Sequence, residues 1–63
     1  MRLKELRKNY GVTQKEVAKA IFCTPTVYSR YEREEREPDI VTLILLANYF
    51  KTTVDYLIGR IDK

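Results

Sequence analysis

Sixty-three residues with a net charge of +3 make one domain of marginal stability, in which nearly every apolar side chain is needed for the core and little remains to line an enzyme pocket. A single cysteine, Cys23, excludes an internal disulfide; with no histidine and no carboxylate cluster facing a thiol or hydroxyl, metal and nucleophilic sites have no material. The longest apolar stretch, residues 40–50, is interrupted by Thr42 and Asn48 and falls short of the roughly 18 apolar residues of a membrane span, and without a secretory signal the expected location is the reducing cytoplasm.

Leu3 and Leu6 lie three apart in a first helix over residues 2–9, which Gly11 stops with a left-handed residue. Thr13 and Glu16 form a capping box, in which a hydroxyl and a carboxylate each satisfy an orphan backbone donor. It heads a second helix over residues 14–21 that buries Val17, Ala18 and Ile21. Thr24 then supplies an N-cap hydroxyl, and Pro25 takes the first helical position, where a missing N–H costs nothing. The third helix runs over residues 25–33 and turns Tyr28 and Tyr31 inward. Residues 32–37 (EREERE) end it and continue as a solvated loop. Asp39 caps a fourth helix whose expected inward face is Ile40, Leu43, Ile44, Leu46, Ala47 and Phe50. Thr53 caps a last short helix, in which Val54, Leu57 and Ile58 close the core before Gly59. No stretch alternates with period two over a useful length, so the expected class is all-α.

Charge is unevenly spread. Residues 1–30 hold seven basic groups (Arg2, Lys4, Arg7, Lys8, Lys15, Lys19 and Arg30) against Glu5 and Glu16, whereas residues 31–63 hold five basic and seven acidic groups. The basic part contains two short amphipathic helices joined by a tight break, the parts of a helix-turn-helix, whose second helix can enter a DNA major groove. A basic surface there suits a phosphate backbone, although many small domains have a basic half.

The whole chain resembles a Cro/repressor-type helix-turn-helix domain, of the xenobiotic-response-element-like family of small bacterial and phage regulators. The matching pieces are LKELRKNYGVTQKEVAKAI, the threonine cap and SRYE of the third helix, REPD before the fourth, then LANYF and DYLIGR. The resemblance implies a compact five-helix, lambda-repressor-like DNA-binding domain over residues 1–63, with the helix-turn-helix formed by helices two and three. It implies a sequence-specific double-stranded DNA-binding transcriptional regulator, a repressor acting by occupancy. No catalysis, cofactor, metal, membrane or small-molecule substrate is involved. By position, Gln14 matches a glutamine that touches phosphate and steadies helix three. Thr24, Pro25, Thr26, Val27, Ser29 and Arg30 match exposed positions at the front of the recognition helix. Arg33 matches a phosphate contact, and Arg7 and Glu32 a partly buried salt bridge.

Each of these residues has a plainer reading too. Arg30 can bond guanine bidentately or merely touch phosphate; Thr26 and Ser29 can reach phosphate or a base edge, and Val27 a thymine methyl. Pro25 has no side-chain donor, so discrimination there is weak or shape-based. Tyr28 and Tyr31 could stack on bases, but their spacing fits the core, with the hydroxyls reaching the surface or a partner. Tyr10, Tyr49 and Tyr56 read as structural, and Cys23 as a small buried hydrophobe. Phe22, Glu34 and Lys51 stand where the family often has glycine; either each accepts about 1 kcal/mol of left-handed strain or the turns differ.

Val41 and Leu45 are expected opposite the inward face of helix four. An exposed apolar pair there suggests a homodimer through helix four and the C-terminal helix. The alternative is an antitoxin or another protein-binding regulatory module of the same fold, or one domain cut from a longer regulator.

Overall fold

The computed structural model describes residues 1–60, so Ile61, Asp62 and Lys63 of the expected 1–63 unit lie outside the described residues. The chain forms α1 (Leu3–Tyr10), α2 (Gln14–Ala20), α3 (Pro25–Glu32), α4 (Ile40–Tyr49) and α5 (Val54–Ile58). Among the described residues there is no strand, and no helix is long and apolar enough to cross a membrane.

Four of the five helices start on a side-chain acceptor. Thr13, Thr24, Asp39 and Thr53 accept from the backbone N–H groups of Glu16, Val27, Thr42 and Tyr56 respectively. The Thr13–Glu16 capping box is complete, with the Thr13 N–H donating to the Glu16 carboxylate at 2.9 Å. The first helix has no side-chain cap; instead the Arg2 N–H donates to the Leu57 carbonyl at 2.8 Å, tying the start of the chain to α5.

The helices also end alike. After each last turn one residue is left-handed, and the next N–H reaches back five residues: Val12 to Arg7, Cys23 to Ala18, Glu35 to Arg30, Thr52 to Ala47 and Arg60 to Asp55. This is the Schellman bond, which satisfies an orphan carbonyl at a helix end. Gly11 and Gly59 take the left-handed position at no steric cost, whereas Phe22, Glu34 and Lys51 adopt it with φ of 61°, 59° and 54°. Of the two possibilities open for these three, strain is therefore the one realised, at about 1–2 kcal/mol each.

The core joins Leu3, Val17, Ala18, Ile21, Tyr28, Tyr31, Leu46, Phe50 and Leu57. Burial of a side chain the size of Leu46 contributes roughly 1.5–3 kcal/mol. The Tyr10 hydroxyl donates to the Phe50 carbonyl at 2.8 Å, and its ring meets Phe50 edge-on at 5.4 Å, pinning the end of α1 to the end of α4.

One expected face is turned. Ile40 and Ile44, placed inward by the sequence reading, are 66% and 47% exposed, while Leu45, placed outward, packs against the core. Val41 is outward as expected, at 61%. The helix faces the core through Leu46, Ala47 and Phe50. Ile40, Val41, Ile44 and Asn48 are exposed, and at about 100° per residue they share one outward arc.

Candidate nucleic-acid interface

Helix α3 divides by residue type. Tyr28 and Tyr31 point into the core, while Thr24, Pro25, Thr26 and Arg30 are exposed and Ser29 is half-buried. The proline and the threonine cap fix where the helix begins, and so which residues face out.

Behind that face lies a buried polar hub. The Arg7 Nε donates to Glu32 Oε2 at 2.6 Å and its Nη2 to Oε1 at 3.4 Å, while the Gln14 amide donates to the same Oε1 at 3.0 Å. One carboxylate thus fastens α1, α2 and α3 together. The Glu32 side chain is only 3% exposed. Burial opposes its charge, but the Arg7 guanidinium, the nearby Tyr28 hydroxyl and the Gln14 amide outweigh it, so the carboxyl titrates below its usual range. The expected Arg7–Glu32 bridge is present. Gln14 reaches helix three as expected, through an acceptor that no spacing rule names, because the partners are 18 residues apart.

Tyr28 departs from expectation. Its hydroxyl reaches neither the surface nor, among the described residues, a partner of acceptable hydrogen-bond geometry. Burial first, and the Glu32 charge beside it second, push its pKa up. Cys23 packs against the core but is only half-buried, less than the expected burial, and burial raises its thiol pKa.

On the outer surface Gln14, Pro25, Thr26, Ser29 and Arg33 line one shallow, open depression between the start of α2 and α3. Five of the eight sequence-selected positions are therefore brought together. Thr24 and Arg30 are exposed on the same helix outside this depression, and Val27 is half-buried against the core. The depression's basic wall is already engaged. The Arg33 Nη1 donates to Ser29 Oγ at 2.7 Å, and its Nε and Nη2 donate to Glu35 at 2.9 and 3.3 Å. Sequence reading missed Glu35, whose only signal was its place two residues after Arg33 in a charged run.

The basic first half is also partly engaged internally. Arg7 is committed to Glu32; Arg2 donates to the Tyr56 carbonyl at 2.9 Å and lies 4.5 Å over the Tyr56 ring. Lys4, Lys8, Lys15, Lys19 and Arg30 remain exposed.

The helix-turn-helix family model matches residues 3–57, and the chain belongs to that family, in its Cro/C1-type branch. Its relatives include the HTH-type transcriptional regulator ImmR of Bacillus subtilis (strain 168), 44% identical over 59 residues that cover 94% of this chain and 46% of the relative. Another is the HTH-type transcriptional regulator AnsR of the same organism, 37% identical over 59 residues covering 94% and 51%. The P22 c2 repressor, solved in complex with a synthetic operator, superposes with a TM-score of 0.85 at 28% identity, covering 89% of this chain and 85% of that one. This places the five helices in the lambda/P22 repressor-like fold. The chain spans about half the length of the curated relatives it matches.

Proposed function

We propose that this chain is a sequence-specific double-stranded DNA-binding transcriptional regulator, a repressor that works by occupying its site in the cytoplasm. The observation that carries the reading is the outward surface of α3, where Thr26, Ser29, Arg30 and Arg33 stand beside the start of α2. The names of its relatives and the operator complex of the P22 protein support it. Helix α3 enters the major groove. Arg30 is a long side chain on its exposed front that donates no side-chain hydrogen bond among the described residues, and it reads a base edge; Thr24, Pro25, Thr26 and Val27 make short contacts; Ser29, Arg33 and Gln14 face the phosphates.

Selection of bound duplexes from a random pool tests this, followed by titration in rising salt. Binding should weaken steeply between about 50 and 200 mM. Arg30→Ala should cost about 1–3 kcal/mol on the selected sequence and far less on a scrambled one. Equal loss on both would make Arg30 a phosphate anchor, and no duplex binding at all would overturn the reading.

A helix front with one long reader specifies few base pairs, which favours a second copy on an adjacent half-site one helical turn away. We infer a homodimer through the exposed arc of α4, with Ile40, Val41 and Ile44 in place of the Val41–Leu45 pair. Ile44→Glu should halve the mass in sedimentation and abolish a palindromic consensus; an unchanged mass rules this surface out.

A further inference from the structure

We infer that Glu35 is a positioning residue for DNA binding: it presents Arg33 to phosphate as a half-occupied fork, weakening attachment to arbitrary sequence more than attachment to the preferred site. The inference rests on the DNA-binding reading above and concerns a residue that reading does not use.

The argument begins with the backbone. Arg33 is the C-cap of α3, Glu34 is left-handed at φ 59°, and the Glu35 N–H then closes on the Arg30 carbonyl at 3.0 Å. Residues two apart on a helix do not face each other, so Glu35 meets Arg33 only because the chain turns back at Glu34. The carboxylate takes the Nε and Nη2 donors of Arg33, and Ser29 takes one on Nη1. A guanidinium has five N–H donors. Two remain, one on each terminal nitrogen, on a side chain that borders the same depression as Gln14, Pro25 and Thr26.

Two consequences follow from this geometry. The long side chain is fixed before DNA arrives, so less conformational freedom is lost on contact. Its charge is also largely cancelled. On arbitrary sequence, attraction to phosphate supplies essentially all of the binding, and there the cancelled charge weighs fully. On the preferred site, base contacts hold α3 in register, and the two free donors can meet one phosphate while Glu35 stays in place. The exposed acid thereby widens the ratio of specific to non-specific affinity.

Glu35→Gln tests this in the whole chain, with the selected duplex and a scrambled duplex of the same length titrated from about 50 to 200 mM salt. The pair is exposed, and circular dichroism should confirm an unchanged fold. The variant should bind the scrambled duplex about two- to fivefold more tightly, a change on the scale of one exposed ion pair. Its log–log salt slope there should steepen by up to about 0.9, one further phosphate neutralised. The selected duplex should change less. In an Arg33→Met background the same substitution should give a smaller gain, the part owed to Arg30, whose charge also acts on Glu35.

Unchanged affinity and slope on scrambled DNA would overturn the inference. So would weakened binding to both duplexes, or an equal gain without Arg33, which would make Glu35 a general repulsive charge. Failure of the unsubstituted chain to bind any duplex would instead overturn the reading beneath it.

Discussion

Arg7–Glu32 and Arg33–Glu35 are the same chemical pair, joined at 2.6 and 2.9 Å, and Glu32 at the end of α3 is followed directly by its C-cap Arg33. Their surroundings differ. The first pair is 16% and 3% exposed, the second 55% and 54%. In the first, Glu32 is nearly sealed from water and Arg7 is part-buried, so losing one partner is costly and the pair acts as a fastener between helices. In the second, water screens both charges and the pair contributes little to folding, and its exposed arginine is open to a further partner. One step along α3 separates a group that holds the fold from a group that can be used by a ligand.

Breaking the buried pair should have the largest effect. Glu32→Ala leaves the Arg7 Nε and Nη2 donors and the Gln14 amide without their acceptor, although the Arg7 Nη1 keeps the Val12 carbonyl, and should cost up to about 3–5 kcal/mol, enough to unfold much of so small a domain. Urea unfolding measures this. Replacing both partners, Arg7→Met with Glu32→Leu, should destabilise less than Glu32→Ala alone. Glu35→Ala should leave the urea midpoint where it was. Comparable losses at Glu32 and Glu35 would erase the distinction between the pairs.

Acid should separate the pairs next. The Glu32 carboxyl titrates below its usual range in the folded chain, so the unfolded state binds the proton more readily. The stability it supplies is therefore complete above the unfolded value of about 4.3 and is lost as pH falls through the lower folded value. Glu35 is shifted the same way by Arg33, but salt screens an exposed pair. Stability should fall below about pH 4.3 in both low and high salt. In Glu32→Gln most of that fall should be missing. A fall that vanishes in high salt would assign the acid sensitivity to surface charge.

How much of this was legible in the sequence depended on the range of the interaction. Caps act over three residues, so Thr13, Thr24, Asp39 and Thr53 could be read directly. The inward residues of α2 and α3 were legible because polar neighbours give the apolar pattern a phase. In α4 nearly every position is apolar; the pattern had no phase, and Ile40, Ile44 and Leu45 were misplaced. Arg7–Glu32 was legible through resemblance, since 25 residues separate the partners. Arg33–Glu35 was not, because it depends on a left-handed Glu34 whose conformation the sequence left open. Of the selected outer positions, Gln14, Pro25, Thr26, Ser29 and Arg33 come together in one depression, whereas Val27 packs against the core.

Within the buried hub, Tyr28→Phe should sharpen the account of Glu32. Among the described residues the buried hydroxyl has no partner of acceptable geometry, and its burial cost opposes its favourable dipole beside Glu32, so removing it should change stability by less than about 1 kcal/mol in either direction. The Glu32 carboxyl should titrate slightly higher, because the hydroxyl helps to hold its proton off. Carboxyl chemical shifts followed through an acid titration report that change. A loss above about 1.5 kcal/mol would mean that the hydroxyl is hydrogen-bonded in solution.

A similarly small change is expected at the turn that creates the exposed pair. Glu34→Gly keeps the left-handed backbone and removes about 1–2 kcal/mol of strain. The gain is offset by the greater freedom of glycine in the unfolded chain, roughly 0.5–1 kcal/mol. It also removes the contact from the Met1 ammonium at 3.4 Å to a carboxylate that is 71% exposed, which contributes little. The net gain should therefore be below about 1.5 kcal/mol. Because the turn is preserved, Arg33 should still meet Glu35, and affinity for scrambled DNA should rise less than in Glu35→Gln. Glu34→Pro, whose ring fixes φ near −65°, cannot form the turn and should reproduce the Glu35→Gln rise. If Glu34→Gly and Glu34→Pro behave alike on DNA, the backbone turn is not what brings Glu35 to Arg33.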